Sequence, residues 1–234
     1  MPLSTYRHLI PREMTMLPVT EQALIEHISL RRQDYLIREG EFGSIDLFYI
    51  LSGVCVNDLL VRLGNTPFDS RKILPGEFIG LQELVSVKPR RRESTVLAKT
   101  PVEALRIPGK DFLRWQVEYP EFYNFVISSV LDTHFDLRAM SAICAAKDTV
   151  KGGAFYMHYL YGVYLKGCCP PDYEGAVRIW DTRQEIAQAL NRDVRSVDRM
   201  LKELREQNLV GGPKGKITID KEQAAGLAAY GDDQ

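Results

Sequence analysis

Residues 181–219 read DTRQEIAQALNRDVRSVDRMLKELREQNLVGGPKGKITI. Thr182 with Glu185 three residues on has the spacing of a capping box, in which each residue satisfies a backbone N–H of the other. The helix it opens places Ile186, Ala187 and Leu190 on an inner side. Asn191 then stands where a tight turn needs a left-handed residue, a conformation asparagine tolerates better than other side chains that carry a Cβ. Asp193 is placed to cap a second helix, Val194 to about Gln207. Two helices joined by a three-residue turn form the helix-turn-helix pattern.

The second helix is sided. At ~100° per residue Val197, Met200, Leu201 and Leu204 converge on one face, which must be core, while Arg195, Arg199 and Lys202 project from the other. Gly211-Gly212-Pro213-Lys214-Gly215-Lys216 turns into a strand at Ile217–Ile219, which gives a basic wing. From Arg178 to Lys216 nine Lys/Arg face six acids, so the segment is +3 in a chain whose net charge is −1. Positive charge is concentrated where a DNA surface would lie. The competing reading is an exposed charged helix. It leaves unexplained the conjunction of cap, turn residue, sidedness and glycine-led wing.

Upstream, DTVKGG (148–153) reads as a hinge, and Phe155–Leu165 as a helix whose aromatics are core and contact surface rather than a ligand cage. Glu121–Ala146 holds neither Gly nor Pro and predicts one long helix. Its positions Val126, Val130, Thr133, Leu137, Met140 and Cys144 step by 4, 3, 4, 3, 4, the a/d seam of a two-helix coiled coil. The alternative is a helix buried against its own domain. A second stripe, Phe125, Ile127 and Leu131, is suited to pack back on the preceding domain. From Tyr35 to Ile107 short apolar runs alternate with Gly40, Gly53 and Gly76, the texture of a β-sandwich or roll. Thr20–Ile28 reads as a short helix. The expected architecture is α+β: an antiparallel β-roll with an N-terminal helix (1–110), a long dimerisation helix (111–147) and a winged helix-turn-helix (148–234).

The 234 residues are 45% hydrophobic and 26% charged, ordinary for a globular protein. No run approaches the ~20 apolar residues of a membrane span, and Met1–Ile10 lacks the pattern of a signal peptide, so a cytoplasmic protein is expected. Cys55, Cys144, Cys168 and Cys169 show no CxxC spacing and no disulfide framework. The adjacent Cys168–Cys169 pair reads either as a thiol switch or as two ordinary cysteines in a strained loop. No catalytic constellation and no phosphate-loop lysine is visible, so no enzymatic role and no cofactor is expected.

With these segments in hand, the chain from about Tyr35 to Ile219 resembles the Crp/Fnr family, the relatives of the cyclic-AMP receptor protein and the fumarate–nitrate regulator. LFYILSGVCV resembles the family's strand–glycine–strand segment and LPGEFIG its second roll glycine motif. TRQEIAQALNRDVRSVDRMLKELREQNLV matches its helix-turn-helix almost position for position. The resemblance implies a cyclic-nucleotide-binding-like β-roll, a dimer, a pseudo-palindromic DNA operator and RNA polymerase as a further partner. It places groove-reading side chains at Val194, Arg195 and Arg199, with Thr182 and Ser196 near phosphates. Arg183, Gln184, Arg192, Lys202, Lys214 and Lys216 complete the DNA-facing set. Arg199 matches the family's base-contacting arginine, and Arg195 stands where many members have glutamate, which predicts an operator of its own.

The effector pocket departs from the pattern. Nucleotide-binding members carry a ribose-holding glutamate directly after the glycine of the FIG motif, where this chain has Leu81. Their phosphate-binding Arg–Ser pair corresponds here to Arg92–Glu93, in a loop one residue longer. The pocket implied is Phe78, Gly80, Leu81, Gln82, Glu83, Arg92, Glu93 and Ser94, with Arg90 and Arg91 either turned inward or part of a solvated basic loop. The cysteine cluster of iron–sulfur members and the roll histidine of a haem-binding member both lack counterparts. The reading is therefore a transcription regulator gated by an unidentified small effector other than cyclic AMP. The alternatives are a cyclic-nucleotide- or thiol-responsive regulator, and a ligand-binding regulatory subunit whose C-terminal domain binds protein instead of DNA.

Overall fold

The computed structural model describes residues 3–41, 45–58, 71–86, 92, 94–146, 149–213 and 215–232, with side chains left aside at 4, 58, 134–146, 149 and 232. The chain divides into two units, residues 1–60 with 71–136, and a second that takes in residues 137–234.

The first unit opens with a 3-10 turn (Leu3–Tyr6) and two single-turn helices, α1 (Arg12–Thr15) and α2 (Val19–Gln22). The strands β1 (Glu26–Leu30), β2 (Tyr35–Ile37), β3 (Leu47–Ser52), β4 (Cys55–Asp58), β5 (Arg71–Ile73) and β6 (Phe78–Ile79) follow. After the short helix α3 (Leu81–Val85) come β7 (Thr95–Ala98) and β8 (Val102–Ile107). They form two four-stranded antiparallel sheets, ordered β1-β8-β3-β6 and β2-β7-β4-β5. Helix α4 (Gly109–Glu118) and α5 (Pro120–Ala146) as far as Asp136 complete the unit's described elements.

Strand β3, LFYILS, shows why its apolar run is continuous. Phe48 and Ile50 face the other sheet, joining Ile37, Cys55, Ile73, Val96 and Ala98. Leu47, Tyr49 and Leu51 face the helices, against Phe112 and Trp115 of α4 and Phe122 and Val126 of α5. A strand covered on both faces needs apolar residues at every position. Gly40, Gly53 and Gly76 turn with φ of 80°, 87° and 93°, as their sequence positions led one to expect. At Gly53 the requirement is also steric, since a Cβ there would stand 2.2 Å from the Pro101 carbonyl oxygen.

The second unit holds α6 (Thr149–Cys168), β9 (Val177–Ile179), α7 (Arg183–Ala189), α8 (Val194–Glu206), β10 (Ile217–Ile219) and α9 (Lys221–Asp232). Strands β9 and β10 pair antiparallel, Ile217 opposite Ile179. Helix α6 packs on α8, α9 and β9.

Three expectations are corrected. The helix expected over Thr20–Ile28 ends at Gln22, and Glu26–Leu30 pairs with β8 instead, His27 opposite Leu105. Pairing with a buried strand outweighs a weak local helical pattern. The expected hinge is helical from Thr149 onward, and Gly152 and Gly153 are buried within α6. A Cβ on Gly153 would lie 1.9 Å from Met200 Sδ, so the glycine is there for close packing on α8. Residues 111–147 are not one helix, because Tyr119 leaves the helical region (φ −137°, ψ 63°) before Pro120 opens α5. The residue before a proline is biased against helical geometry.

Candidate functional site

In the second unit both halves of the capping box form. The Glu185 N–H donates to Thr182 Oγ1 at 3.2 Å, and the Thr182 N–H donates to Glu185 Oε2 at 2.6 Å. Asn191 takes the turn at φ 51°. Asp193 caps α8 by accepting the Ser196 N–H at 2.9 Å and the Ser196 hydroxyl at 2.7 Å. Those hydrogen bonds, the Ser196 hydroxyl foremost, hold the Asp193 carboxyl below its ordinary pKa. Val197, Met200, Leu201 and Leu204 are buried, as are Ile186 and Ala187 of α7.

The opposite face of α8 is open. Arg195, Arg199 and Lys202 are exposed, at positions i, i+4 and i+7 of one helical stripe. Thr182, Gln184, Arg192 and Lys216 are exposed as well, while Arg183, Val194 and Ser196 are half-buried. Arg199 Nη2 donates to Ser196 Oγ at 3.3 Å, and Lys202 lies 3.6 Å from Glu206. Arg183 is held by Asp198 at 2.5 Å, an ion pair that ties α7 to α8. Arg205 Nη2 donates to the Lys216 carbonyl at 3.3 Å, anchoring the β10 turn to α8. That turn uses Gly212 (φ 104°) and Gly215 (φ 86°). Lys214 lies outside the described residues. The links made by Asp198 and Arg205 were missed from sequence, where both read as ordinary surface charges.

Of the residues assigned to an effector pocket, Gly80, Glu83 and Arg92 come together, whereas Phe78 and Leu81 turn elsewhere. Phe78 and Leu81 pack in the helix-side core with Tyr49, Phe122 and Val126, away from the space between the sheets. Gln82 is exposed, Ser94 and Gly80 are buried, and Glu93 lies outside the described residues. Glu83 and Arg92 do meet, with Arg92 Nη1 3.6 Å from Glu83 Oε2 and both side chains 10% exposed or less. Arg92 Nη2 donates to the Asp46 carbonyl at 2.6 Å. The Asp46 carboxylate accepts from Arg106 Nε at 2.7 Å and from the Gly109 N–H at 3.1 Å, the first residue of α4. Sequence reasoning passed over Asp46. Its one signal is a lone acid at the head of the apolar run of β3.

The expected coiled-coil seam is corrected at its first position. Val126 is fully buried in the first unit's own core, so it is not available to a partner. Val130 is half-buried against that core, and the Thr133 hydroxyl donates to the Ser129 carbonyl at 2.9 Å. The side chains of Leu137, Met140 and Cys144 lie outside the described residues. In the second stripe Phe125 and Ile127 pack back as expected, while Leu131 is 53% exposed. Among the described residues no helix is long and apolar enough to cross a membrane, and no group of three or more His, Cys, Asp or Glu is placed to hold a metal ion.

Residues 27–119 match the family model of the cyclic nucleotide-binding domain. No curated protein matches the chain. Among solved structures, a CRP/FNR-family transcriptional regulator of Thermus thermophilus superposes with TM-score 0.66 at 19% identity, covering 89% of this chain and 99% of its own. FixK2 of Bradyrhizobium japonicum gives 0.63 at 14% identity over 87% and 96%. The c-di-GMP-responsive global regulator CLP of Xanthomonas campestris gives 0.61 at 16% identity over 85% and 95%. With residues 27–119 similar to the cyclic nucleotide-binding domain and a two-helix unit with its paired strands following, the chain shares the fold of these CRP/FNR-family regulators.

Proposed function

We propose that this chain is a dimeric, sequence-specific DNA-binding transcription regulator. One observation carries the reading: α8 buries Val197, Met200, Leu201 and Leu204 and presents Arg195, Arg199 and Lys202 together on its open face. A helix held from behind, capped at its N-terminus and armed with arginines is the element that enters a major groove. Arg195 and Arg199 are the groove readers, suited to bidentate contact with guanine O6 and N7. Thr182, Arg183, Gln184, Arg192, Val194, Ser196, Lys202, Lys214 and Lys216 complete the surface. The dimer places two such helices on half-sites about one helical turn, roughly 34 Å, apart. Pairing is assigned to the later seam positions Leu137, Met140 and Cys144, since Val126 is taken up by the core. The N-terminal roll is the sensing unit, and the regulator has no enzymatic step of its own.

Cyclic AMP does not fit the sensing unit. Leu81 offers a ribose hydroxyl no polar atom and is itself packed in the helix-side core. A hydroxyl buried without a partner costs ~1–3 kcal/mol, and each ~1.4 kcal/mol is tenfold in affinity. The test of the DNA-binding reading is selection from random duplex DNA with the purified chain, followed by a salt series on the recovered site. A pseudo-palindrome bound with a steep salt dependence supports it. Enrichment of no sequence, or binding indifferent to salt, contradicts it.

A further inference from the structure

Arg92 is fixed on every side. Its backbone carbonyl accepts the Gly40 N–H at 2.9 Å, and its guanidinium carbon lies 5.9 Å from the centre of the Phe48 ring. Gly80, in a left-handed turn, gives the guanidinium its room, because a Cβ there would stand 2.7 Å from Nη1 and 2.7 Å from the Asp46 carbonyl oxygen. Nη2 is satisfied by that carbonyl. Nη1 is buried with no hydrogen-bond partner among the described residues, and the nearby anionic atom is Glu83 Oε2 at 3.6 Å. A buried guanidinium requires a counter-charge. The Asp46 carboxylate is already neutralised by Arg106, at 2.6 Å. Among the described acids Glu83, itself nine-tenths buried, contributes most to balancing Arg92.

We propose that Glu83 is a built-in counter-anion for Arg92, which makes the roll self-liganded and closes it to phosphate-bearing effectors. The proposal rests on the reading of the N-terminal unit as the sensor of a DNA-binding regulator, and it adds that DNA binding needs no anionic effector. The charge balance argues for it directly. Among the described residues the Arg92 guanidinium already faces the Glu83 carboxylate in a site of low exposure, and an incoming phosphate would set a further anion beside it, a repulsion that weak screening leaves strong. Carboxylates at Glu41 and Asp46 add to the negative field around Arg92. Desolvation pulls the Arg92 pKa down, while Glu83, foremost among the acids, pushes it back up.

The experiment compares wild type, Glu83→Gln and the double variant Glu83→Gln/Arg92→Gln, as full chains in phosphate-free buffer. Thermal unfolding is followed as inorganic phosphate, cyclic AMP and cyclic GMP are added. Wild type keeps its midpoint at millimolar anion. Glu83→Gln melts lower and recovers as phosphate is added, with an affinity at least tenfold above wild type, because a ligand that binds only the folded state raises its midpoint. The double variant melts above Glu83→Gln and ignores phosphate, and this arm holds even if the single variant fails to fold. The proposal is overturned by a wild-type midpoint that rises with micromolar cyclic nucleotide. A Glu83→Gln chain that folds but ignores anions, or a double variant no more stable than the single one, overturns it equally. A DNA mobility shift of untreated wild type separates the two readings. Loss of all DNA binding, with the melting results intact, removes the regulator reading and leaves the ion pair standing. DNA binding that appears only on adding a phosphate-bearing effector contradicts the self-liganded roll.

Discussion

Tyr164 donates its phenol to Asp181 Oδ2 at 2.5 Å in the interior of the C-terminal unit, one residue before the cap that opens α7. Burial first, and then the Asp181 carboxylate, push the phenol far above its ordinary range, so it remains a donor at any working pH. Tyr164→Phe leaves a buried carboxylate short of a hydrogen bond and should cost ~1–3 kcal/mol, read as a lower urea midpoint. Cys55 shows a second effect of burial, its thiol pushed up to about 12. Its folded pKa exceeds the unfolded value of about 8.5, so the stability it contributes is whole below pH ~8.5 and is lost as pH rises toward 12. Thermal midpoints measured across that window should fall in wild type, and fall less in Cys55→Ala. Neither residue announced its role in the sequence. Cys55 reads as one more apolar position in a strand, and Tyr164 as one aromatic among five, because the contacts that define both come from distant parts of the chain.

At the scale of elements, what was legible is what local chemistry decides. Thr182 with Glu185, and Asp193, foretold the starts of α7 and α8 because each satisfies a backbone N–H three residues away, and Asn191 foretold the turn because asparagine tolerates its φ of 51°. The hinge reading failed over residues 149–153 for the opposite reason. Glycine in a sequence signals freedom, whereas Gly153 is needed so that Met200 of α8 can lie against α6. Gly153→Ala should therefore overpack that contact by ~1–3 kcal/mol and displace α8, lowering the thermal midpoint and weakening DNA binding together. The Asp193 cap has a pH signature. Its carboxyl is held low in the fold, so its contribution is whole above the ordinary carboxylate range and is lost as pH falls through the depressed value. Asp193→Asn retains an acceptor for the Ser196 N–H, and its α8 should respond less to acid in a circular-dichroism titration.

For the whole molecule, the order of roll, long helix and two-helix unit was readable from texture and motif, and the comparisons with solved structures agree with it. The effector pocket was not. Side-chain direction, which sends Phe78 and Leu81 to the helices and Glu83 to Arg92, follows from the turn at Gly80 and not from the spacing of a motif. The assembly is proposed from seam positions beyond Val126. Leu137→Asp sets a charge in a desolvated interface and should yield a monomer in light scattering, while an unchanged dimer would remove the seam. All of these features serve one claim, that the open face of α8 reads DNA. It is tested most directly by fluorescence anisotropy of Arg199→Ala against wild type, on the selected site and on single-base variants of it. The account predicts a loss of ~1–3 kcal/mol on the selected site with preference relaxed at one base position of each half-site. Wild-type affinity and selectivity in Arg199→Ala would contradict it.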